Sequence, residues 1–237
     1  MRKQLFALLV FSVLATGCSH YSTYREEQDQ FMASHGSGSE LTGQDATSYT
    51  NMLRRWAQQG DAEAEFEMGI HYLNGWPGGG FAKDALTGLP WIEKSEAQGK
   101  AEASSLVASL FDPDLTPRDE SIPSSYSKYW EEEEKAAELG GKYDMGVYAS
   151  HLWSGIDSNV TQAYAWQTIA ETFGDQSSPS TKEMKATMTD VQLAEGKRIA
   201  DELLPKVRAS RDDYCKRYPK VTALFVRMVV GSQPCAE

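Results

Sequence analysis

"AEFEMGIHYLNG", residues 64–75, sets one glycine, Gly69, inside a helical pattern and closes on a second, Gly75. Glycine in a helix interior costs about 1 kcal/mol relative to alanine, so something outside that helix has to require it. Two later stretches align with this one, "ASSLVASLFDPD" (103–114) and "DMGVYASHLWSG" (144–155), and place Ala108 and Ala149 where Gly69 stands. The position therefore asks for a small side chain rather than a special backbone angle. Such a residue lets two helices approach toward the short end of the usual 8–10 Å spacing. On this reading Gly69→Ala is expected to be tolerated, whereas Gly69→Leu should splay the first helix pair.

The segments that follow each stretch repeat too. "RRWAQQG", "WIEKSEAQG", "EEEKAAELG" and "WQTIAETFG" end at Gly60, Gly99, Gly140 and Gly174, spaced 39, 41 and 34 residues apart. Each glycine stands where a helix C-terminus takes a left-handed residue. Trp91 and Trp166 each precede such a glycine by eight residues. From about Ser48 onward apolar residues recur at helical spacing, and no convincing strand alternation competes. The fold class is all-α.

The combined pattern, A–x3–[L/M]–G–x2–Y–x2–G, then D–A, then W–x2–K–[A/S]–x3–G, resembles the Sel-one-like repeat, a relative of the tetratricopeptide repeat. In the first copy Ala64, Met68, Gly69, Tyr72, Gly75, Asp84, Trp91, Lys94, Ser95 and Gly99 carry the match. The second keeps Lys135 to Gly140 but has Ala108 and Asp114 in place of the two glycines. The third keeps Ala149, Gly155, Ala163, Trp166, Ala170 and Gly174. The resemblance covers residues 48–175. It implies an α-solenoid of antiparallel helix pairs, about three repeats, whose concave face holds a partner. Residues 188–204, opening on a Thr189–Gln192 capping box, look like the capping helix that often follows such arrays. The remainder of 176–237 is expected to be a helical tail, with "ALFVRMVV" (223–230) also read as helix.

A targeting segment precedes the repeats. Arg2 and Lys3 are followed by a nearly continuous apolar run, Leu5 to Ala15, too short for a helix to cross about 30 Å of hydrocarbon. "LATGC" (14–18) resembles a bacterial lipobox, although Ala15 departs from its usual leucine. That resemblance implies removal of residues 1–17 and acylation of Cys18, and Ser19 after the cysteine suggests outer-membrane sorting, with the body facing the periplasm. Residues 18–47 are polar and little periodic, and read as a flexible tether. Cys215 and Cys235 then remain as a pair able to form a disulfide in an oxidising compartment, worth about 3 kcal/mol by loop closure. Two buried thiols or half of a metal site are the alternatives. Loss of Arg2 and Lys3 would take the formal net charge from −11 to −13, which opposes binding to nucleic acid or to an anionic membrane surface. The lipid anchor is the one membrane contact expected.

Chemistry is sparse. Gly75–x4–Gly80 is followed by Phe81 and Ala82 rather than Lys and Ser or Thr, so the glycine run is no phosphate loop. Neither a metal site nor a cofactor is expected. His71 and His151 share a register but stand two repeats apart, and read as structural or surface residues. "EEEE" (131–134) reads as a solvated helix face. Trp91 and Trp166 are expected to pack between helices. Trp76, Trp130 and Trp153 are expected to be more exposed, and are the candidate partner contacts. The expectation is a non-enzymatic, lipid-anchored adaptor that binds another protein of the cell envelope. The alternatives are a hydrolase or binder of β-lactam or peptidoglycan-type substrates, as described for cysteine-rich relatives, and a surface factor binding a host protein. Residues 48–175 hold no cysteine, which departs from those relatives.

Overall fold

The computed structural model describes residues 24–36, 41–155, 158–175 and 179–218. The signal segment, Cys18, Cys235 and the 223–230 run lie outside them, and so does the Cys215–Cys235 pairing. The helices are α1 over 24–35, α2 Gly43–Gln58, α3 Ala62–Asn74, α4 Ala85–Ala97, α5 Ala101–Phe111, α6 Tyr126–Glu138, α7 Lys142–Ser154, α8 Val160–Thr172, α9 Thr181–Lys185 and α10 Asp190–Arg217. No strand occurs among the described residues; a single bridge joins Trp76 and Phe81. None of these helices is long and apolar enough to cross a membrane.

Local chemistry explains the boundaries. The carboxylate of Asp61 accepts from the Ala64 amide, that of Asp84 from Thr87, and the Ser125 hydroxyl from Lys128, opening α3, α4 and α6. Each cap supplies a partner that the first helical turn lacks. Ser180 and Thr189 complete capping boxes with Glu183 and Gln192. Gly60, Gly99, Gly140 and Gly174 all hold positive φ, from +80° to +97°, as the repeat spacing requires. Gly155 does not: its φ is −73°, and a Cβ there would lie 2.5 Å from the His151 carbonyl oxygen. Close approach, rather than backbone angle, explains that glycine.

The chain divides into two compact units, Met1–Gln98 and Gly99–Glu237. In the first, α3 and α4 form an antiparallel pair with α2 packed on α3. Ala64, Met68, Tyr49, Leu53, Trp56 and Phe81 build its buried core, with Tyr72 and Trp91 packed against it. Gly69 faces Gly88 of α4. A Cβ on Gly69 would stand 2.2 Å from Cγ1 of buried Ile92 and 3.1 Å from the Gly88 carbonyl oxygen, and one on Gly88 would stand 2.9 Å from the Gly69 carbonyl oxygen. The small-residue requirement stands, but the expected tolerance of alanine at Gly69 does not. Here the contact is glycine on glycine, tighter than an added methyl allows.

Residues 24–35, expected within the tether, are helical and partly buried. Tyr24 is 0% exposed, and Arg25 and Gln28 are buried with it. Tyr24, Gln28, Phe31 and His35 share one face at helical spacing. That face was hidden in the sequence because it carries hydrogen-bonding groups rather than aliphatic ones.

In the second unit α5 pairs with α6 and α7 with α8. Its core runs through Met145, Tyr148, Ala149, Leu152, Ala163, Trp166 and Ile169. Ala108 and Ala149 are fully buried, as the repeat register demands, and Trp166 meets Tyr148 edge-on at 6.0 Å. α10 is longer than the capping helix expected over 188–204. It continues through Pro205 to Arg217, packing first on α8, where a Cβ on Gly196 would meet Tyr164 at 2.8 Å. Its last turns then reach α5, where the Tyr214 hydroxyl donates to Glu102 and Lys100 lies 3.5 Å from the same carboxylate. The Lys100 ammonium also sits 4.7 Å from the Tyr218 ring. Cys215 stands in this terminal stretch.

Candidate functional site

Each unit contains a glutamate among aromatic side chains, half-buried Glu67 in the first and buried Glu133 in the second, and the two differ in how well the carboxylate is satisfied. In the first unit α3 projects Glu67 toward α1 and α2. Tyr24 donates to its Oε2 at 2.9 Å and Gln28 at 2.7 Å, the Tyr49 hydroxyl donates to Oε1, and His71 Nε2 lies 3.5 Å away. Burial alone would raise the Glu67 carboxyl, but the contacts of His71, Tyr49 and Tyr24 outweigh it and hold the group below its ordinary value. Burial, then the Glu67 charge, pushes the Tyr24 and Tyr49 hydroxyls up. This is a closed network with an ionised centre. It ties three helices together and presents no open chemistry.

Trp76, expected to be exposed, is half-buried over that network. It stacks on His71 at 4.8 Å and meets Tyr49 edge-on at 5.9 Å. His71 is thus a structural residue, held between Trp76 and Phe81. Trp91 is half-buried, with Lys94 lying 4.1 Å over its ring. An open groove of about 700 Å³ between α1 and α2 is lined by Phe31, His35, Met52 and Arg55. Its charged wall is already committed, because Glu27 accepts from both Arg55 and the Trp56 indole.

The second unit is different. The "EEEE" run is not a uniformly solvated face: Glu131 and Glu134 are exposed, but Glu132 is 0% and Glu133 6% exposed. Glu132 is paired with Lys128 and, at 2.9 Å, with Lys135. Among the described residues, no such cation is paired with Glu133. Its carboxyl is bonded by the Tyr129 hydroxyl, while its Oε2 is buried without a hydrogen-bond partner. Asp144 of α7 faces it, accepting the Ser105 hydroxyl at 2.7 Å, and Asp112 at the end of α5 faces it as well. Burial first, then the charges of Asp144 and Asp112, lift the Glu133 carboxyl to about 8. Burial and the same three carboxylates, with Tyr143, push the Tyr129 hydroxyl up.

Repeat register shows how unusual this is. Counting seven residues back from Gly99, Gly140 and Gly174 gives Ile92, Glu133 and Gln167, all buried. Aligning the stretches from Ala64 gives Ala64, Ala103 and Asp144, again all buried. Two interior positions of the repeat are therefore acidic, and they face each other where α6 meets α7. Four aromatic residues lie on this stretch of α6 and at the start of α7. Tyr126 and Tyr143 are about half exposed at 52% and 51%, while Tyr129 and Trp130 are half-buried. Trp130 stacks on His151 at 3.7 Å and leans on Tyr129 at 4.3 Å. Trp153 is half-buried against the core of this unit. Of the three tryptophans proposed as contacts, Trp130 alone borders this acidic cluster. Glu133, Asp144 and Tyr129 were missed, although the glycine-anchored alignment carried the signal. Among the described residues, no three or more His, Cys, Asp or Glu side chains are gathered in a way that would hold a metal ion.

No protein-family model and no curated protein matches the chain. Among solved structures it is similar to a Sel1 repeat protein from Oxalobacter formigenes, with 19% identity and a TM-score of 0.46 over 56% of this chain and 95% of that one. It is also similar to a protective antigen present in uropathogenic Escherichia coli strains that displays an SLR fold, with 17% identity and a TM-score of 0.40 over 73% of this chain. The chain spans 44% of that antigen. Its own helix pairs carry the Sel-one-like spacing at Gly69, Ala108 and Ala149 and at the glycines that end α4, α6 and α8, and the architecture is that of a helix-pair repeat protein.

Proposed function

We propose that the chain is an exported, lipid-anchored repeat scaffold that binds another protein of the bacterial cell envelope. The observation that carries this reading is the succession of helix pairs with the repeat spacing, α3 with α4, α5 with α6 and α7 with α8. Helix-pair repeats stack to bury their apolar faces and leave side chains on an extended surface free for partners. The lipobox at Cys18 supports anchoring, since two or three acyl chains hold a protein at a bilayer without a spanning helix.

Two measurements test the two halves. Labelled palmitate should enter the wild-type protein and not Cys18→Ala, and the variant should leave the membrane fraction; label retained in Cys18→Ala would remove the anchoring claim. In-cell cross-linking with mass spectrometry should recover one recurrent envelope protein joined to the helix pairs. Cross-links scattered over abundant proteins would remove the scaffold claim.

A further inference from the structure

We propose that α1 clamps the first unit close to the bilayer that holds acylated Cys18, and that the partner is a protein embedded in that same bilayer. This rests on the lipid-anchored scaffold reading and names where its partner sits.

Reach decides the matter. Tyr24, the first residue of α1, comes six residues after Cys18. It is 0% exposed, and its hydroxyl donates to Glu67 of α3 at 2.9 Å. Extended chain covers at most about 3.6 Å per residue, so six residues hold Tyr24 within about 22 Å of the acylated cysteine, whatever conformation they take. With a free tether up to α2, as the sequence alone suggested, the first attachment would be Gly43, 25 residues from Cys18. The limit would then be about 90 Å.

α1 is fastened along its length. Arg25 lies 3.9 Å from Glu63 of α3, and both are buried. Glu27 accepts from Arg55 at 2.6 Å and from the Trp56 indole at 2.8 Å. Gln28 donates to the Tyr49 hydroxyl and to Glu67, each at 2.7 Å. Phe31 packs with its ring centre 5.5 Å from that of Tyr49. Because these contacts run from the first turn of α1 to the third, the anchoring chain meets the folded unit at Tyr24 rather than at α2. A unit of this size is about 30 Å across, so its far side stays within about 50 Å of the anchor.

Lipid itself is a poor partner at that distance. Glu26 and Asp29 stand exposed on α1, and the formal net charge of the chain is −11, which repels anionic headgroups. What a unit held there meets is the projecting part of a protein in the same membrane. A partner diffusing freely gains nothing from a short restraint. For one confined to the plane of the bilayer, the restraint raises the effective concentration.

The test places the same 24-residue Gly-Ser insertion at either of two points in the lipidated full chain. One follows Ser19, before α1; the other follows Gly38, between α1 and α2. A dansyl amino acid replacing exposed Glu93 of α4 reports energy transfer to rhodamine-labelled phosphatidylethanolamine in proteoliposomes. The insertion before α1 should lower transfer at least twofold. The insertion after it should change transfer less than 1.3-fold, because docked α1 keeps the unit where it was. Trypsin should spare the bond after buried Arg25 in the wild type and in both insertions. In cells, the recurrent cross-linked partner should carry membrane-spanning segments in the anchoring bilayer. Equal loss of transfer for both insertions, early cleavage after Arg25, or a recurrent partner without such segments would each overturn the inference. Absence of palmitate on Cys18 would remove the anchor together with this inference and leave the scaffold claim standing. Scattered cross-links alongside the expected transfer pattern would remove the scaffold claim and the partner, and leave the clamp.

Discussion

At Glu133 a single carboxyl group links stability to pH, and the sign can be worked out. The group titrates near 8 in the folded chain against an ordinary value of 4.5, so the native state keeps a proton that the unfolded state gives up. Its favourable contribution is complete below about pH 4.5 and is lost as pH climbs through 8. Asp61, raised to about 7, and Glu65, raised to about 6, both chiefly by burial, act in the same direction. Thermal melts should therefore show greater stability near pH 5 than near pH 8. Glu133→Gln should remove part of that slope and raise the melting temperature at pH 8 by about 3 °C. An unchanged slope would contradict the burial of an uncompensated acid. Gly69 gives a second expectation at this scale. Gly69→Ala must displace Ile92 or the Gly88 backbone, a form of overpacking that costs about 1–3 kcal/mol, while Ala108→Gly should cost about 1 kcal/mol through lost helix propensity. Denaturant melts that find Gly69→Ala neutral would refute the glycine-on-glycine contact.

Helices, rather than single residues, were what the sequence displayed best. Glycine spacing located α3 to α8, because a left-handed terminator and a small contact residue are local demands that leave local marks. α1 was illegible for the opposite reason. Its inward face consists of Tyr24, Arg25 and Gln28, whose burial makes sense only once Glu67 is known to lie opposite. The second half of α10 was hidden by Pro205, normally a sign that a helix stops; Tyr214 and the α5 charges hold it in place beyond that point. Deletion of residues 19–36 should therefore destabilise the first unit, since Glu67 would lose two donors and Tyr49 and Trp56 would lose the rings of Phe31 and Tyr24 packed on them. Circular dichroism should show a lower melting temperature with little loss of helical signal per residue. Tyr214→Phe should cost about 1–3 kcal/mol by leaving Glu102 to Lys100 alone, with an intact α10 N-terminal half.

Across the whole molecule, the repeat register separates structure from candidate function. Where the pattern is kept, at Ala64, Trp166 or Gly99, the residue packs or turns the chain. Where a core position departs from it, as at Glu133, burial lifts the carboxyl to about 8. The three tryptophans chosen from sequence illustrate the limit of composition. Size and aromaticity selected them, yet Trp76 caps an internal network and Trp153 leans on a core. Trp130 alone borders the acidic cluster, which required an alignment of repeats rather than a count of rings.

The pairing of Tyr214 with Glu102, 112 residues earlier, sets an order of events during synthesis. Glu102 and Lys100 leave the ribosome long before the helix that covers them, and non-local closures of this kind slow folding relative to neighbouring helix pairs. The α5–α6 and α7–α8 hairpins can form as they emerge, but the last turns of α10 must return to the first helix of their unit before its charges are buried. A chain halted after α8 would hold formed hairpins and an open α5. Completion of the second unit is then a signal that translation has passed Tyr214, and a nascent-chain protease assay should show protection of residues 99–111 appearing only after that point.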